Sequence, residues 1–169
     1  EDADSLKPGE ILLVGCFRVG ETLADQLADI GADMLVIDFN PKVHEKLTAR
    51  GVRCLYGDIS HMDVLEHAGV QHAKILVCAI ADDFLRGTDN RRMLETLRRM
   101  NPTATIVVTA ESKRQAVELY ELGADYVELP RVLAADDLID VIELSRRNEL
   151  TAHRDRHVQS LKARLTTKP

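Results

Sequence analysis

The sequence predicts an α/β protein with a Rossmann-like, doubly wound parallel sheet of six strands, followed by C-terminal helices. Three observations lead there. Six short runs rich in Ile, Val and Leu recur at a steady pace, an amphipathic segment separates each from the next, and the runs are continuously apolar rather than alternating. Continuous apolar runs suit strands buried on both faces of a parallel sheet. Regular strand–helix alternation implies right-handed crossovers and helices on both sides of the sheet.

The predicted strands are ILLV (11–14), MLVI (34–37), VRCLY (52–56), KILVCAI (74–80), TIVVTA (105–110) and DYVEL (125–129). The first helix presents Val19, Leu23, Leu27 and Ile30 on one face and stops at Gly31. Asn40–Pro41 opens the second, a capping side chain followed by proline at the first helical position. Ser60 and Asp63 have the spacing of a capping box for the third, which Gly69 closes. The fourth carries Met93, Leu94, Leu97 and Met100 and ends before Pro102; the fifth carries Ala116, Val117, Leu119 and Tyr120 and ends at Gly123. After Pro130, Leu138, Ile139, Val141, Ile142 and Leu144 form a face wider than one sheet-covering stripe needs, which points to a subunit contact. Val158, Leu161 and Leu165 make a thinner stripe in a highly charged last helix. The predicted partition is a nucleotide-binding-type domain over 9–145 and a basic helical tail over 146–169.

Composition narrows the function. The chain of 169 residues is 45% apolar and 30% charged, typical of a globular protein. Aromatics make up 4%, tryptophan is absent and the net charge is −6, which argues against a nucleic-acid partner. Residues 146–169 carry seven Lys/Arg against Glu149 and Asp155, a net +5, so the remainder stands at −11. Such a tail can be a solvated helix or can touch anionic lipid or an acidic partner. Three cysteines do not form a disulfide framework; Cys54 and Cys78 read as small core residues and Cys16 as part of a turn. No secretory signal is visible, a reducing cytoplasm is expected, and the longest apolar run falls short of a membrane span. The chain opens on Glu1 rather than methionine, which reads as a piece of something longer.

The chemistry concentrates in ILLVGCFRVG, residues 11–20. In a dinucleotide fold the first glycine after β1 makes the tight turn, the second lets the pyrophosphate approach, and the third lets the helix pack on the strand with its N-terminus aimed at phosphate. Gly15 and Gly20 supply the first and third, while Phe17 stands where the second is expected. Phe17 would fill or redirect the closest passage of a pyrophosphate. Asp38 ends the second strand, 18 residues beyond Gly20. A carboxylate there accepts bonds from ribose hydroxyls and repels a 2′-phosphate, which favours NAD-type or plain adenine nucleotides over NADP. The alternative for Asp38 is a strand-end cap.

The stretches VGCFRVGETLADQL, ADMLVIDFNPKVHEKL and GVRCLYGDISHMDVLEHAGVQHAKILVCAIADD, continued by GTDNRRMLETLRRMNPTATIVVTAESKRQAVELYELGADYVELP, closely resemble the RCK, or TrkA-N (KTN), regulatory domain. That domain occurs on potassium channels, Trk/Ktr transporters and Kef-type cation/proton antiporters. The resemblance runs over roughly 9–145; its more specific marks are Arg18, Gly57–Asp58 and LGADYVELP. It implies that Gly15, Arg18, Val19 and Gly20 line a phosphate site with Phe17 among them, and that Arg18 pairs with a phosphate oxygen. It further implies Asp38, with Phe39 and Asn40, on the ribose side, Asp58 and Ile59 facing adenine, and Ala79, Ile80 and Ala81 at the pocket mouth. The implied ligand is AMP, ADP, ATP or NAD(H). The implied assembly is a homodimer or higher homo-oligomer through the terminal helices, coupled to a membrane-embedded ion-transport domain of the same or a separate chain, on the cytoplasmic face of the cell membrane. The absence of room for a second lobe leans toward a Kef-type antiporter.

Rival readings rest on less. The fold is shared with NAD-dependent oxidoreductases, but no Tyr-x-x-x-Lys pair or comparable acid–base set stands out, so an enzyme is not expected. His153 and His157 sit four apart and Asp82–Asp83 could touch a cation, yet no third ligand follows by spacing, and no metal is expected. Departure from glycine at position 17 keeps a coupling module with a vestigial pocket as the alternative.

Overall fold

A computed structural model describes residues 9–16, 18–80 and 88–166. All six predicted runs are strands: β1 (Ile11–Val14), β2 (Met34–Asp38), β3 (Arg53–Tyr56), β4 (Ile75–Cys78), β5 (Thr105–Thr109) and β6 (Tyr126–Glu128). They form one parallel sheet in the order β3-β2-β1-β4-β5-β6. Register is in step across the centre, with Leu12 beside Leu35 and Leu76 and Val14 beside Ile37 and Cys78.

Successive side chains of a strand point to opposite faces, so β1 feeds two cores. Leu12 and Val14 join one with Leu35, Ile37, Leu76, Ile106 and Val108, covered by α3 (Met62–His67), α4 (Asn90–Met100) and α5 (Lys113–Glu121). Leu13 joins the other with Met34 and Val36, covered by α1 (Val19–Asp29) and α2 (Pro41–Ala49). β2 is closed to water on both faces and β1 nearly so, as their continuous apolar runs require, while β4 keeps Ile75 and Val77 half-buried on one face.

Local chemistry explains the helix ends, with two departures from expectation. Asn40 caps α2, its Oδ1 accepting the Lys42 N–H at 3.0 Å with Pro41 at the first position. Asp89 and Ser112 cap α4 and α5 in the same way. The Ser60–Asp63 capping box does not form: His61 is the N-cap of α3, and Ser60 donates its N–H to Asp58 instead. Ile30 is 78% exposed, because α1 ends at Asp29 and the chain has already turned toward Gly31. Along α1, Glu21, Asp25 and Asp29 recur every four residues and meet Lys46 of α2 and Arg50 at its C-cap, with Arg50 Nη2 2.7 Å from Asp29. Two amphipathic helices are thereby held side by side over β1 and β2.

Contacts divide the chain into Glu1–Pro130 and Arg131–Pro169, earlier than the partition predicted at 145/146. The sheet ends with β6, and α6 (Pro130–Arg146) contains no buried residue. Asn148, with φ of 60°, separates it from α7 (Leu150–Thr166).

One side chain joins three segments near the sheet's far edge. Arg98 of α4 donates to the carbonyls of Pro102 (3.2 Å), Ala104 (2.7 Å) and Gly123 (2.7 Å) and to Asp125 Oδ2 (2.7 Å). Asp125 also accepts the Ile106 N–H at 2.7 Å, and that bond first, then Arg98, holds its carboxyl below the usual carboxylate range. Arg98→Ala is expected to cost about 1–3 kcal/mol in urea unfolding, since several carbonyls lose a charged donor. Because the Asp125 carboxyl is depressed in the folded state, its contribution is present at neutral pH and lost as pH falls through the folded value. Asp125→Asn therefore removes part of the acid limb of the stability–pH curve; an unchanged limb contradicts this assignment.

Candidate functional site

The sheet reverses its winding between β1 and β4: from β1 the chain proceeds to β2 and β3 on one side, and from β4 to β5 and β6 on the other. Such a reversal, at the carboxyl ends of the two strands, is the usual ligand position in doubly wound sheets. Glycines shape the turn there. Gly15 has φ of 78°, and a Cβ on it would overlap the Ile80 side chain. A Cβ on Gly20 would lie 2.9 Å from the Gly15 carbonyl oxygen and 3.6 Å from Ala79 Cβ. Gly15, Gly20, Ala79 and Ile80 are thus one packed cluster, with α1 seated against the end of β1.

Arg18 is the N-cap of α1, at φ 48° and ψ −95°, a conformation that a non-glycine residue adopts at a cost. The first intrahelical bond runs from Thr22 N–H to the Arg18 carbonyl at 3.1 Å. The N–H groups of Val19, Gly20 and Glu21 precede it, at the end of the helix dipole that favours negative charge. Glu21 in this first turn is ion-paired to Lys46 across α2.

On the other side of the turn stands Asp38, 7% exposed at the end of β2. Its Oδ2 accepts the Cys16 N–H at 2.7 Å and its Oδ1 the Asn40 N–H at 2.7 Å. Phe39 is 53% exposed beside it, while the Asn40 side chain is used in capping α2. Gly57 donates to the Asp38 carbonyl at 3.1 Å and so brings the Gly57–Asp58 loop next to β2. The Asp58 carboxyl is lowered chiefly by the Ser60 N–H, with His61 Nδ1 3.8 Å away. The side chains of Ile59 and Ile80 are buried in the core. Phe17, Ala81 and the Asp82–Asp83 pair lie outside the described residues.

A cavity of about 480 Å³ adjoins the turn. It shares Arg18, Val19 and Ala79 with the predicted set but extends away from Asp38, past Val77, Val107, Thr109 and Glu128. Those four residues were not foreseen. Their signal lay in period-two alternation: in register, Val77 pairs with Leu13 and Val107, and Thr109 with Glu128, so they continue the sheet face on which α1 packs, where Val19, Thr22, Leu23 and Gln26 of α1 line the same cavity.

Cys16 lies in the turn and is buried, Cys78 is a buried core residue, and Cys54 is half-buried against the α1–α2 core. Burial, reinforced by the Asp38 carboxylate, pushes the Cys16 thiol up to about 12 and the Cys54 thiol to about 11. Among the described residues no three His, Cys, Asp or Glu side chains converge as a metal site. His153 and His157 stand on α7 with ring centroids 6.3 Å apart.

Comparison with known proteins places this geometry. The family model of the TrkA-N domain matches residues 11–130. The chain belongs to the TrkA-N domain family. Among curated relatives, the glutathione-regulated potassium-efflux system protein KefC of Escherichia coli O139:H28 is 28% identical over 128 residues, 76% of this chain and 20% of KefC. The chain therefore spans about a fifth of the curated relatives it matches. Among solved structures, the TrkA-N domain of the inner membrane protein ybaL from Escherichia coli superposes with a TM-score of 0.71 at 24% identity, covering 80% of this chain and 97% of that one. The GsuK channel bound to NAD gives 0.62 at 22% identity, covering 76% and 22%; GsuK bound to ADP also gives 0.62, at 20% identity, covering 75% and 32%. These likenesses establish the Rossmann-like fold.

Two expectations follow for this TrkA-N domain. Gly20→Ala must separate α1 from the Gly15 carbonyl and is expected to lower stability by about 1–3 kcal/mol; denaturant midpoints equal to wild type would show that the approach is not tight. Cys16 and Cys54 should resist maleimide at pH 7 in the folded protein and react on unfolding, since their thiolates are disfavoured until pH nears about 11 or 12. Rapid labelling of either under native conditions would contradict their placement.

Proposed function

We propose that this TrkA-N domain is the cytosolic regulatory part of a potassium-transport protein, of the Kef-type antiporter or potassium-channel kind. It senses an adenine nucleotide or NAD(H) and conveys the bound state to a membrane-embedded transport domain. The observation that carries this reading is the switch point, where the α1 N-terminus packs by Gly20 onto the Gly15 carbonyl, with Asp38 across the turn. Such a helix end attracts phosphate, and the adjacent carboxylate repels a 2′-phosphate, so NADP is disfavoured. Kinship with KefC supports a potassium-transport context, and the NAD- and ADP-bound GsuK channel supports the ligand class. Among the described residues no helix is long and apolar enough to cross a membrane, so the transport segment is assigned to chain beyond them or to a partner. The domain acts as a homodimer or higher homo-oligomer through α6, where Leu133, Leu138, Ile139 and Ile142 are each more than half exposed. It is a sensor rather than an enzyme.

A second reading, a coupling module with a vestigial pocket, is favoured by one observation. Both oxygens of Asp38 already accept backbone N–H groups, and the residue is 7% exposed.

A thermal-shift panel of AMP, ADP, ATP, NAD(H) and NADP(H) separates the two. A nucleotide at a hundred times its Kd adds ~2.7 kcal/mol of stability, about 5–10 °C in Tm for a chain of this size. The expected result is a rise with at least one adenine nucleotide or NAD(H) and a smaller one with NADP(H). A flat panel discards nucleotide sensing and leaves the coupling module.

A further inference from the structure

We infer that Asp38 is a positioning residue for the phosphate turn, one whose carboxylate fixes the Cys16 N–H before any ligand arrives. The inference rests on the reading of this switch point as a phosphate site, and it concerns the turn rather than the ribose. In a regular parallel strand, successive N–H groups point to opposite neighbours. Gly15 donates toward β2, to the Ile37 carbonyl at 2.8 Å. A continued strand would send the next N–H toward β4. Instead Gly15, at φ 78°, rotates the chain, and the Cys16 N–H also reaches the β2 side, where Asp38 Oδ2 receives it at 2.7 Å. Two consecutive donors thus face the same neighbour, and the left-handed Gly15 between strand and turn brings this about.

The other oxygen is equally engaged. Oδ1 accepts the Asn40 N–H at 2.7 Å, two residues on, closing an Asx-type turn that leads into the α2 cap. One carboxylate therefore joins the start of the α1 turn to the start of α2. It is 7% exposed, and the Cys16 side chain it holds is buried in the α1–α2 core. A charged acceptor so placed keeps both partners because leaving it unpaired away from water is costly. A ribose hydroxyl reaching Asp38 would have to share these oxygens, each with one lone pair still available. Substitution of Asp38 thus alters the turn's geometry as well as any ribose contact, and the two effects separate with a ligand that has no ribose.

The test combines amide exchange in the ligand-free protein with binding of inorganic tripolyphosphate, on wild type and Asp38→Asn. The asparagine keeps the volume but offers one acceptor where the carboxylate offers two, so one of the two N–H bonds is lost. Exchange of the Cys16 or the Asn40 amide should quicken by at least about tenfold, the equivalent of one lost charged hydrogen bond, while Leu12 and Leu35 in the strands keep their wild-type rates. Tripolyphosphate affinity, compared at high salt where the removed repelling charge is screened, should fall with it. Unchanged exchange at both amides in a folded variant overturns the inference, as does unchanged tripolyphosphate affinity at high salt where wild type binds it there. If the variant does not fold, the wild type alone decides: a Cys16 amide exchanging at the rate of an unstructured chain overturns the inference, and a protected one upholds it. If neither protein binds tripolyphosphate yet exchange quickens as expected, the positioning role stands and the nucleotide reading fails.

Discussion

Gly20 packs so closely on the Gly15 carbonyl that a Cβ there would come within 2.9 Å of the oxygen, and this approach sets the distance between β1 and α1. With α1 seated that low, its apolar residues Leu23, Ala24 and Leu27 reach Leu13 and Val36 of the sheet, and its acidic stripe meets the basic residues of α2 and its C-cap. The same approach puts the helix N-terminus at the carboxyl edge of the sheet, at the point where the winding reverses. Fold and site are consequences of one contact, which explains why a substitution in the turn should disturb stability along with any binding.

Polar side chains, most of them buried, do the remaining fastening, and they do it at strand ends. Asn90 donates to the carbonyls of Ile80 and Thr109, joining the ends of β4 and β5. Asn101 donates to Val70 and Ala73 and accepts from Ala104, fixing the entries to β4 and β5. Asp38 joins the ends of β1 and β2, and Asp125 with Arg98 fixes the approach to β6. Among the described residues no buried side-chain nitrogen or oxygen lacks a partner. Loops leaving a parallel sheet lose the ladder abruptly, so a side chain must take over wherever the backbone is still shielded from water.

These two levels differ in how far the sequence reveals them. The strands were legible because burial on both faces demands an unbroken apolar run, which is a local property. The α2 cap was legible because Asn–Pro acts within three residues. The Ser60–Asp63 spacing misled because Asp58, two residues upstream of Ser60, competes for the same N–H and wins it. Ile30 misled because helical periodicity does not register that the chain leaves the helix one residue earlier. Asp38 was legible as an acidic group at the right distance from the turn. Its engagement by Cys16 was not, since that bond depends on the rotation at Gly15 and spans 22 residues. The flank of the cavity, from Val77 to Glu128, needed strand register, which only the assembled sheet supplies.

Residues beyond β6 obey a different economy. α6 has no buried residue, and its Leu138, Ile139 and Ile142 are more than half exposed, so the helix draws little stability from its own unit. Isolated helices of this length are marginal in water, and exposed apolar residues of this kind are what the proposed assembly would cover. In the proposed assembly, those residues and the nucleotide site are the two ends of the coupling. A ligand shifts such an assembly only through unequal affinity for its two arrangements, at 1.4 kcal/mol for each factor of ten. Under that proposal Asp38 would be the source of the inequality: a ribose sharing its oxygens would act on the Cys16 and Asn40 bonds, and through them on the starts of α1 and α2.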